Sequence, residues 1–430
     1  MKRVIQVHEV PPLGQSFVLS LQHLFAMFGS TVFVPIYLGV DPAICLLMNG
    51  IGTLLYILIC RGKIPAYLGS SFAFLTPVSA VIATHAAPDA GYAAALGGFI
   101  AAGVVFTIVA LIVRAAGTGW IHVVFPPAAM GAIVAVIGLE LIPSAARMAG
   151  WISDGSAEWS PNANTIILSV FTLLVTVLGS VLFRGFFGVI PILIGIVSGY
   201  ALAYLMGEVD FKSVSSSSWL DSPAFTFPSF ETSAILTILP AALVVIVEHV
   251  GHLIVTGNIV GKDLSKDPGL HRSMLGNGLS TILSGFVGAT PNTTYGENIG
   301  VLAITKVYST FVIGGAAVIA IILSFFGKFS ALVSNIPGAV MGGVSLLLFG
   351  VIAASGFRML VEAKVDYSKP SNLFLTTVVL VTGLSGVKIE AGDFTLSGMG
   401  LATVVAIVLS LLFKLFEITG LSNDKEAESH

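Results

Sequence analysis

The chain has 430 residues, of which 56% are apolar and only 10% are charged, and its formal net charge is −3. An ordinary soluble domain carries about 25% charged residues, so this composition excludes a soluble globular enzyme, a disordered chain and a coiled coil. It predicts an all-α, multi-pass protein of the lipid bilayer, because each spanning helix needs about 20 apolar residues. The charge carries no basic signal for nucleic acid. The two cysteines, Cys45 and Cys60, form neither a disulfide framework nor a metal motif.

Fourteen apolar segments follow one another along the chain, and each is predicted to be one membrane span. They cover residues 15–38, 43–60, 64–84, 92–113, 120–142, 163–183, 186–206, 233–257, 273–290, 291–308, 309–327, 331–355, 371–387 and 397–420. The third and tenth segments are rich in proline, glycine and polar residues, which makes continuous helices unfavourable there. We therefore predict short extended segments in spans three and ten.

The distribution of basic residues supports this count, because Lys and Arg concentrate in cytoplasmic loops. With the N-terminus placed inside, 15 of the 19 basic residues fall on the inside, at Lys2, Arg3, Arg61, Lys63, Arg114, Arg184, Lys262, Lys266, Arg272, Lys306, Arg358, Lys364, Lys369, Lys414 and Lys425. Arg147, Lys212, Lys328 and Lys388 fall outside. Omitting either weak span would place every loop that follows it on the opposite side of the membrane. The pattern predicts a protein of the cytoplasmic membrane with both termini in the cytoplasm.

Short sequence matches recur at a distance of seven spans. They pair residues 125–131 with 336–342, 97–98 with 314–315, and 22–23 with 248–249, and the two weak spans are also seven apart. An odd offset requires two halves of opposite orientation, and inverted repeats of this kind are typical of transporters with a site near the middle of the membrane. Chance recurrence in a chain with 47 glycines is the alternative interpretation.

Three acidic residues lie well within the predicted spans, where ionisable groups are rare and usually functional. Glu140 lies near the end of its span, and a structural role is predicted for it. Glu248 and His252 are four positions apart in the sequence and share one helix face. This arrangement suits proton coupling, because histidine titrates near neutral pH. A hydrogen-bonded Glu–His pair that only joins spans is the alternative. His23 and His249 remain open between packing and a role in the site.

The third acid, Glu297, lies in span ten, where Gly296 and Gly300 permit close approach of backbone to a ligand. Non-helical backbone at membrane depth must be buried in protein or line a cavity. Phe72 in span three and Tyr295 in span ten stand beside the breaks and could offer flat faces, although simple packing is the alternative in a chain with 28 Phe. Carboxylates, backbone N–H groups and aromatic faces together favour a flat imide or amide heterocycle as ligand.

The stretch Glu297-Asn298-Ile299-Gly300-Val-Leu-Ala-Ile-Thr305-Lys306 resembles the signature of the nucleobase–ascorbate transporter (nucleobase:cation symporter 2) family. The stretches 64–72, 248–252 and 290–298 are similar to its uracil-transporting branch, and the likeness covers essentially the whole chain. The resemblance implies two inverted seven-span repeats at 1–207 and 233–430, joined by an outside loop at 208–232. Each repeat would contribute to a core domain (12–115 and 233–328) and a gate domain (116–207 and 329–421), followed by a cytoplasmic tail at 422–430.

The same resemblance implies the roles of individual residues. Glu248 and Glu297 would hold ring nitrogens, and the backbone N–H groups of Phe72 and Gly296 would meet ring carbonyls. His252 would couple protons through Glu248. Further pocket residues would be Tyr295, Ser30 and Phe349, with supporting roles for Asn298, His23 and Ser71. Ser30 and Phe349 depart from the residue types expected there, a small apolar residue and a tyrosine.

The family resemblance predicts proton-coupled uptake of a nucleobase, and Glu at position 297 favours uracil as the substrate. The proton gradient would supply the energy without a cofactor, and the family is associated with homodimers that meet through the gate domains. A symporter of xanthine, urate or another purine is the alternative within the family. Outside the family, a channel and an intramembrane hydrolase are the rival hypotheses, but the motif Glu248-His-x-x-His252 lacks the spacing of a zinc hydrolase.

Overall fold

The computed structural model describes residues 4–156, 158–391 and 394–424, so Lys2, Arg3 and Lys425 of the charge count, and residues 425–430 of the predicted tail, lie outside the described residues. The first half of the chain forms helices α1 Leu13–Ala26, α2 Phe28–Leu38, α3 Pro42–Ile59, α4 Leu75–Ala83, α5 Pro88–Ala116, α6 Gly119–Val124, α7 Pro127–Met148, α8 Ala163–Leu182, α9 Pro191–Leu205 and α10 Lys212–Ser216. The second half forms α11 Thr232–Val260, α12 Leu270–Val287, α13 Gly296–Thr305, α14 Thr310–Ser324, α15 Gly327–Ser334, α16 Gly338–Glu362, α17 Pro370–Leu384 and α18 Gly398–Thr419.

The described residues also form four short strands, β1 Leu68–Ser70, β2 Asn292–Thr294, β3 Lys388–Ala391 and β4 Phe394–Ser397, and a single 3-10 turn at Phe72–Phe74 leads from β1 into α4. Proline and glycine set many of the helix boundaries. Proline occupies the first turn of α3, α5, α7, α9 and α17, where its missing N–H is not needed. Glycine in the left-handed conformation follows α2, α11, α12 and α18.

Several helices are long and apolar enough to cross a membrane, as the composition predicts. Within the described residues seven helices meet this description, or up to nine when the two bent pairs are each counted as one span. The bent pairs are α1 with α2, which turn by 42°, and α14 with α15, which turn by 90°. The protein is therefore a multi-pass membrane protein with a mostly helical fold.

The two segments predicted to be extended pair with each other, which confirms that prediction. Strands β1 and β2 are antiparallel, with Gly69 opposite Thr293. Hydrogen bonds from Ser71 N to Pro291 O (2.9 Å) and from Tyr295 N to Tyr67 O (3.1 Å) extend the pairing. The strands lead into α4 and α13, so two short helices begin close together inside the protein. This pairing satisfies backbone groups that would otherwise lack partners away from water.

The helices pack in two groups. In the first group α5 packs against α12, α3 against α12 and α14, and α11 against α5. In the second group α7 packs against α16, α8 against α9 and α16, and α17 against α7 and α18. Small residues permit the closest contacts: a Cβ added at Gly103 would lie 2.8 Å from the carbonyl of Gly278, and a Cβ at Gly278 would lie 2.9 Å from that of Gly103.

Several loops meet at one end of the molecule. The N-terminal segment joins the α13–α14 connection through a parallel bridge between Ile5 and Val307. Lys63, after α3, forms an ion pair of 2.6 Å with Asp267, which precedes α12. The segments that carry many of the basic residues assigned to the inside are therefore adjacent in space.

The structure differs from the predicted segments in three places. The segment predicted at 120–142 is divided into α6 and a longer α7, because Pro126 and Pro127 interrupt the helix. The predicted span 331–355 is displaced to 338–362, because α15 occupies 327–334 and α16 begins only after Pro337, whereas α14 at 310–324 lies within the predicted span 309–327. The hairpin of β3 and β4 was not predicted, because it lies in the connection between the last two predicted spans.

Candidate functional site

A cavity of about 360 Å³ lies where the β1–β2 pair, α11, α13 and α16 meet. Seven of the predicted site residues line it: Ser71, Phe72, Glu248, His252, Tyr295, Gly296 and Glu297. They come from three parts of the chain that are far apart in sequence. The two broken segments and α11 are therefore brought to one place.

Glu248 and His252 face the cavity from α11. The Oε1 of Glu248 lies 4.0 Å from the Nε2 of His252, and their side chains are 18% and 14% exposed. This confirms that the two residues share a face of one helix. The Nδ1 of His252 lies 3.1 Å from the hydroxyl of Thr294 on β2. No hydrogen bond from the described residues reaches the carboxylate of Glu248, so its oxygens are available to a ligand.

Glu297 reaches the cavity from the first turn of α13, where the helix dipole favours a negative charge. The hydroxyl of Ser30 donates a hydrogen bond of 2.6 Å to its Oε1. Ser30 itself is buried on α2 and lies behind Glu297 rather than on the cavity surface, and its predicted role in substrate binding stays a prediction. Its contact with the cavity is indirect, through the orientation of Glu297.

The aromatic wall is formed by Phe72 and supported from behind by Phe349. The two rings meet edge to face at a centroid distance of 5.6 Å, and Phe349 also meets Phe33 at 5.3 Å. Phe349 is fully buried and lies behind Phe72 rather than on the cavity surface, and its role in substrate binding stays a prediction. The other predicted aromatic, Tyr295, lines the cavity, and its ring lies over Gly69, where a side chain would collide with it.

Gly296 is confined by the histidine of α11. A Cβ added at Gly296 would lie 3.2 Å from His252 Nε2, whereas one added at Gly300 would meet nothing within 4 Å. The backbone at Gly296 is therefore open to the cavity only because this residue has no side chain.

Asn298 and His23 lie behind the cavity and connect three segments. The Oδ1 of Asn298 accepts a hydrogen bond of 3.2 Å from Tyr67 N, and its Nδ2 lies 3.2 Å from His23 Nδ1. These contacts hold α13 against α1 and the segment before β1. Glu140 lies in a different part of the protein, where its Oε2 accepts a hydrogen bond of 2.7 Å from Met399 N at the start of α18, in agreement with the structural role predicted for it.

The contribution of α16 to the cavity was not predicted from the sequence. Val351, Ser355, Arg358, Met359 and Glu362 line it on one helix face, and Arg358 and Glu362 form an exposed ion pair of 2.6 Å. The three- and four-residue spacing of these side chains was a usable signal, but nothing in the sequence indicated that this face of α16 meets α11. Thr293 of β2 was missed for the same reason.

Relatives and solved structures resemble this chain over most of its length. The profile of the Permease family matches residues 14–392. A protein of Paenibacillus larvae subsp. larvae named "Uracil permease" is 63% identical over 98% of this chain and 99% of its own length. The protein of that name in Escherichia coli (strain K12) is 62% identical over 97% of this chain and 95% of its own length. The one in Bacillus subtilis (strain 168) is 46% identical over 94% of both.

Two solved structures share the fold at low sequence identity. The transmembrane domain of the cyanobacterial bicarbonate transporter BicA matches with a TM-score of 0.65 at 16% identity, over 95% of this chain and 100% of that chain. The structure of the murine Solute Carrier 26 family member A9 anion transporter in the inward-facing state matches with a TM-score of 0.70 at 12% identity. The match covers 95% of this chain and 70% of that chain. These similarities and the apolar helices lead to one assignment. The chain belongs to the Permease family and is a multi-pass membrane transporter rather than an enzyme.

Proposed function

We propose that this protein takes up a nucleobase, uracil in the first place, across the cytoplasmic membrane together with protons. The observation that carries the proposal is the convergence of Glu248, Glu297 and the start of α13 on one cavity. The relatives at 62% and 63% identity that are named "Uracil permease" support the choice of substrate.

The chemistry of the cavity suits a flat ring that carries both N–H and C=O groups. The carboxylates of Glu248 and Glu297 accept hydrogen bonds from ring N–H groups. The N–H groups of Phe72 and Gly296 stand in the first turns of short helices, where they have no acceptor within the helix. They donate to ring carbonyls, while the face of Phe72 covers the ring.

Uptake into proteoliposomes tests this proposal directly. With an imposed pH gradient, acid outside, labelled uracil should accumulate, and an uncoupler should abolish the accumulation. Unlabelled xanthine and urate should compete poorly, because Glu at position 297 resembles the uracil branch of the family rather than the xanthine or urate branch. Stronger competition by xanthine or urate than by uracil would favour the purine symporter, and uptake unaffected by the uncoupler would contradict proton coupling.

For the architecture we propose fourteen spans in two inverted repeats, with both termini in the cytoplasm. The helix contacts support this, because several occur in pairs that are seven predicted spans apart. The contact of α3 with α14 corresponds to that of α12 with α5, and the contact of α8 with α9 corresponds to that of α17 with α18. Pro126 and Pro337 also precede α7 and α16 with the same extended conformation.

The two packing groups correspond to the proposed core and gate domains, and alternating access is the movement of one against the other. Glu248 and Glu297 belong to the core, whereas α16 covers the cavity from the gate. The proton gradient supplies the energy, and no bound cofactor is required. A homodimer through the gate domains is part of the proposal, because the family that the chain resembles is associated with such dimers. Light scattering of the purified protein tests it.

A further inference from the structure

A row of polar side chains leads from the cavity into the protein on the far side of His252. The hydroxyl of Thr294 lies 3.1 Å from His252 Nδ1 and 3.4 Å from His249 Nδ1. The Nε2 of His249 lies 2.8 Å from the hydroxyl of Ser273, which lies 2.6 Å from the hydroxyl of Tyr56. Four elements contribute to this row: α11, β2, α12 and α3.

All the members beyond His252 are buried. Tyr56 and His249 are each 1% exposed, and Ser273 is inaccessible. A void of about 10 Å³ is enclosed by Tyr56, His249, His252, Ser273 and Thr294 among others, which is close to the smallest space that holds one water molecule. Buried polar groups at membrane depth are unfavourable unless they are paired or used, and this row is paired without a break.

The far end of the row lies close to the end of α3. Tyr56 is one turn before Cys60 on α3, where the N–H of Cys60 donates a hydrogen bond of 2.9 Å to the carbonyl of Tyr56, and the exposed Arg61 follows directly. Arg272 donates to the carbonyl of Ile59 at 3.3 Å. In the proposed topology this is the cytoplasmic end, so the row runs from the cavity toward the cytoplasmic end of α3 on a course that does not include the α16 side of the cavity.

We propose that Thr294, His249, Ser273 and Tyr56 form a proton path between the Glu248–His252 pair and the cytoplasmic end of α3. The inference rests on the proposed proton-coupled uptake and adds a route for the proton that is separate from the route of the substrate. The ionisable groups that face this row are Glu248 and Glu297 on the cavity side, and Cys60 and Arg272 at the other end.

The transfers along the path balance. Each hydroxyl accepts one proton from the preceding group and releases its own to the next. His249 accepts a proton at Nδ1 and releases one from Nε2, which leaves the ring neutral in its other tautomer. One proton therefore leaves His252, and in the last step the hydroxyl of Tyr56 takes one from Ser273 and releases its own to water at the cytoplasmic end of α3. Rotation of the hydroxyls and the return of His249 to its first tautomer restore the row.

The consequence is a proton exit that stays open while substrate fills the cavity. If the cavity mouth were the only exit, the proton would have to pass the bound substrate or wait until the substrate had left. Net uptake requires release of the proton, whereas exchange of internal for external substrate does not. Loss of the path should therefore slow net uptake and spare exchange.

Two variants remove one hydroxyl each from the row, Ser273→Ala and Tyr56→Phe. Matched controls remove a buried hydroxyl outside it, Ser284→Ala on the same helix and Tyr67→Phe. Neither of these control hydroxyls has a hydrogen-bond partner in the described part of the chain. A further variant, Ser273→Thr, keeps a hydroxyl at the central position. Each protein is measured for uracil binding, for exchange at equal pH, and for uptake driven by a pH gradient into vesicles that contain no uracil.

The expected result is a loss of roughly tenfold in the initial rate of gradient-driven uptake for Ser273→Ala and Tyr56→Phe. Their binding and exchange should remain within about twofold of the wild type, as should all three activities of the controls. Ser273→Thr should recover most of the driven uptake. A structural role would change binding and exchange as well, so the ratio of driven uptake to exchange is the decisive quantity.

An unchanged ratio in both variants would overturn the proton path, whether the absolute rates fall or not. The same holds if neither variant binds uracil, because the row would then be structural. These outcomes differ from a failure of the proposed function, in which the wild type itself would not accumulate uracil under the pH gradient.

Discussion

The two carboxylates of the cavity are held in different ways. Glu297 is fixed by the hydroxyl of Ser30 at 2.6 Å, whereas Glu248 has only the more distant His252, at 4.0 Å, as an ionic partner in the described part of the chain. A carboxylate that lacks a close donor within the protein is ready to accept one from a ligand. Glu248 is therefore the residue whose replacement should most directly affect binding.

Glu248→Gln preserves the shape of the side chain but presents an amide that can turn a donor toward a ring N–H. We expect uracil binding to weaken by about 1–3 kcal/mol, the usual effect of an unpaired buried polar group. Isothermal titration calorimetry of the purified protein measures this. Glu362→Gln, at the exposed end of the cavity, is the matched control and should bind nearly as the wild type. Wild-type affinity in Glu248→Gln would remove Glu248 from the site.

Gly296→Val should abolish transport while the folded protein remains extractable in detergent. The reason is steric: a Cβ at this position already approaches His252 Nε2 to 3.2 Å, and the rest of the side chain would cover the backbone that faces the ligand. Gly300→Ala, one turn along the same helix, is the control and should transport within about twofold of the wild type, because its Cβ meets nothing. Normal uptake by Gly296→Val would refute recognition through this backbone.

Among the elements of the fold, the paired breaks of spans three and ten organise the site. Strands β1 and β2 satisfy each other's backbone groups, and this leaves Phe72, just after β1, and the first turn of α13 at one cavity. The two breaks could be predicted from the sequence, because proline, glycine and polar residues act locally. The place of α16 over them could not, because it depends on contacts between distant spans.

A contact outside the spans joins the segment after α4 to the start of α11. The Nε2 of His85 lies 3.1 Å from the carboxylate of Glu231. Its Nδ1 lies 2.8 Å from the carbonyl of Val81. These contacts, the carbonyl first and the carboxylate second, raise the pKa of His85 above its usual value.

The pair should therefore stabilise the protein at low pH and lose this effect as the pH rises through the elevated pKa of His85. The sign follows from the raised pKa: protonated His85 is favoured in the folded state, so the gain is complete below about pH 6.5, the usual value for histidine. Because Glu231 is 43% exposed, we expect no more than about 1 kcal/mol. Thermal unfolding of the wild type and Glu231→Gln between pH 5 and 9 should show a difference only at the acidic end. A difference that grows with pH would contradict this.

For the molecule as a whole, the proposed coupling to protons requires that the proposed core and gate domains move differently when the site is loaded. Protons and uracil bound together would neutralise the site and ease movement of the core past the gate, since an unpaired charge at membrane depth is unfavourable. The pair of Glu248 and His252 should act as one coupled site.

His252→Ala should weaken proton-driven accumulation of uracil more than it weakens equilibrium exchange. Exchange needs no return of an empty, deprotonated carrier, whereas accumulation does. Both are measured in the same proteoliposomes with and without an imposed pH gradient. If the variant accumulates uracil as steeply as the wild type, His252 does not carry the proton, and Glu297 or His23 would have to be considered.

The proposed orientation can be tested with single cysteines. Lys388 on β3 is assigned to the outside, and Lys364 after α16 is assigned to the inside, and both are exposed. In intact cells a membrane-impermeant maleimide should label Lys388→Cys and leave Lys364→Cys unlabelled until the cells are opened. The two native cysteines are buried and should contribute little background. The reverse pattern would contradict the orientation, and labelling of both would contradict the span count.

Composition and short-range pattern were enough to predict that the chain resides in a membrane, where its helices break and which ionisable groups lie at membrane depth. Each of these properties can be read within one segment: an apolar run of about 20 residues, a Pro–Gly cluster, or Glu248 and His252 on one helix face. The family motif at 297–306 added the expected roles of individual residues.

Contacts between spans, in contrast, decide which side chains reach the cavity and which stand behind them. Ser30 and Phe349 were expected in the wall but lie behind Glu297 and Phe72, and the row from Thr294 to Tyr56 was not predicted. Each of these contacts joins residues from different spans, and a periodic pattern within one span carries no information about the neighbour that its buried face will meet.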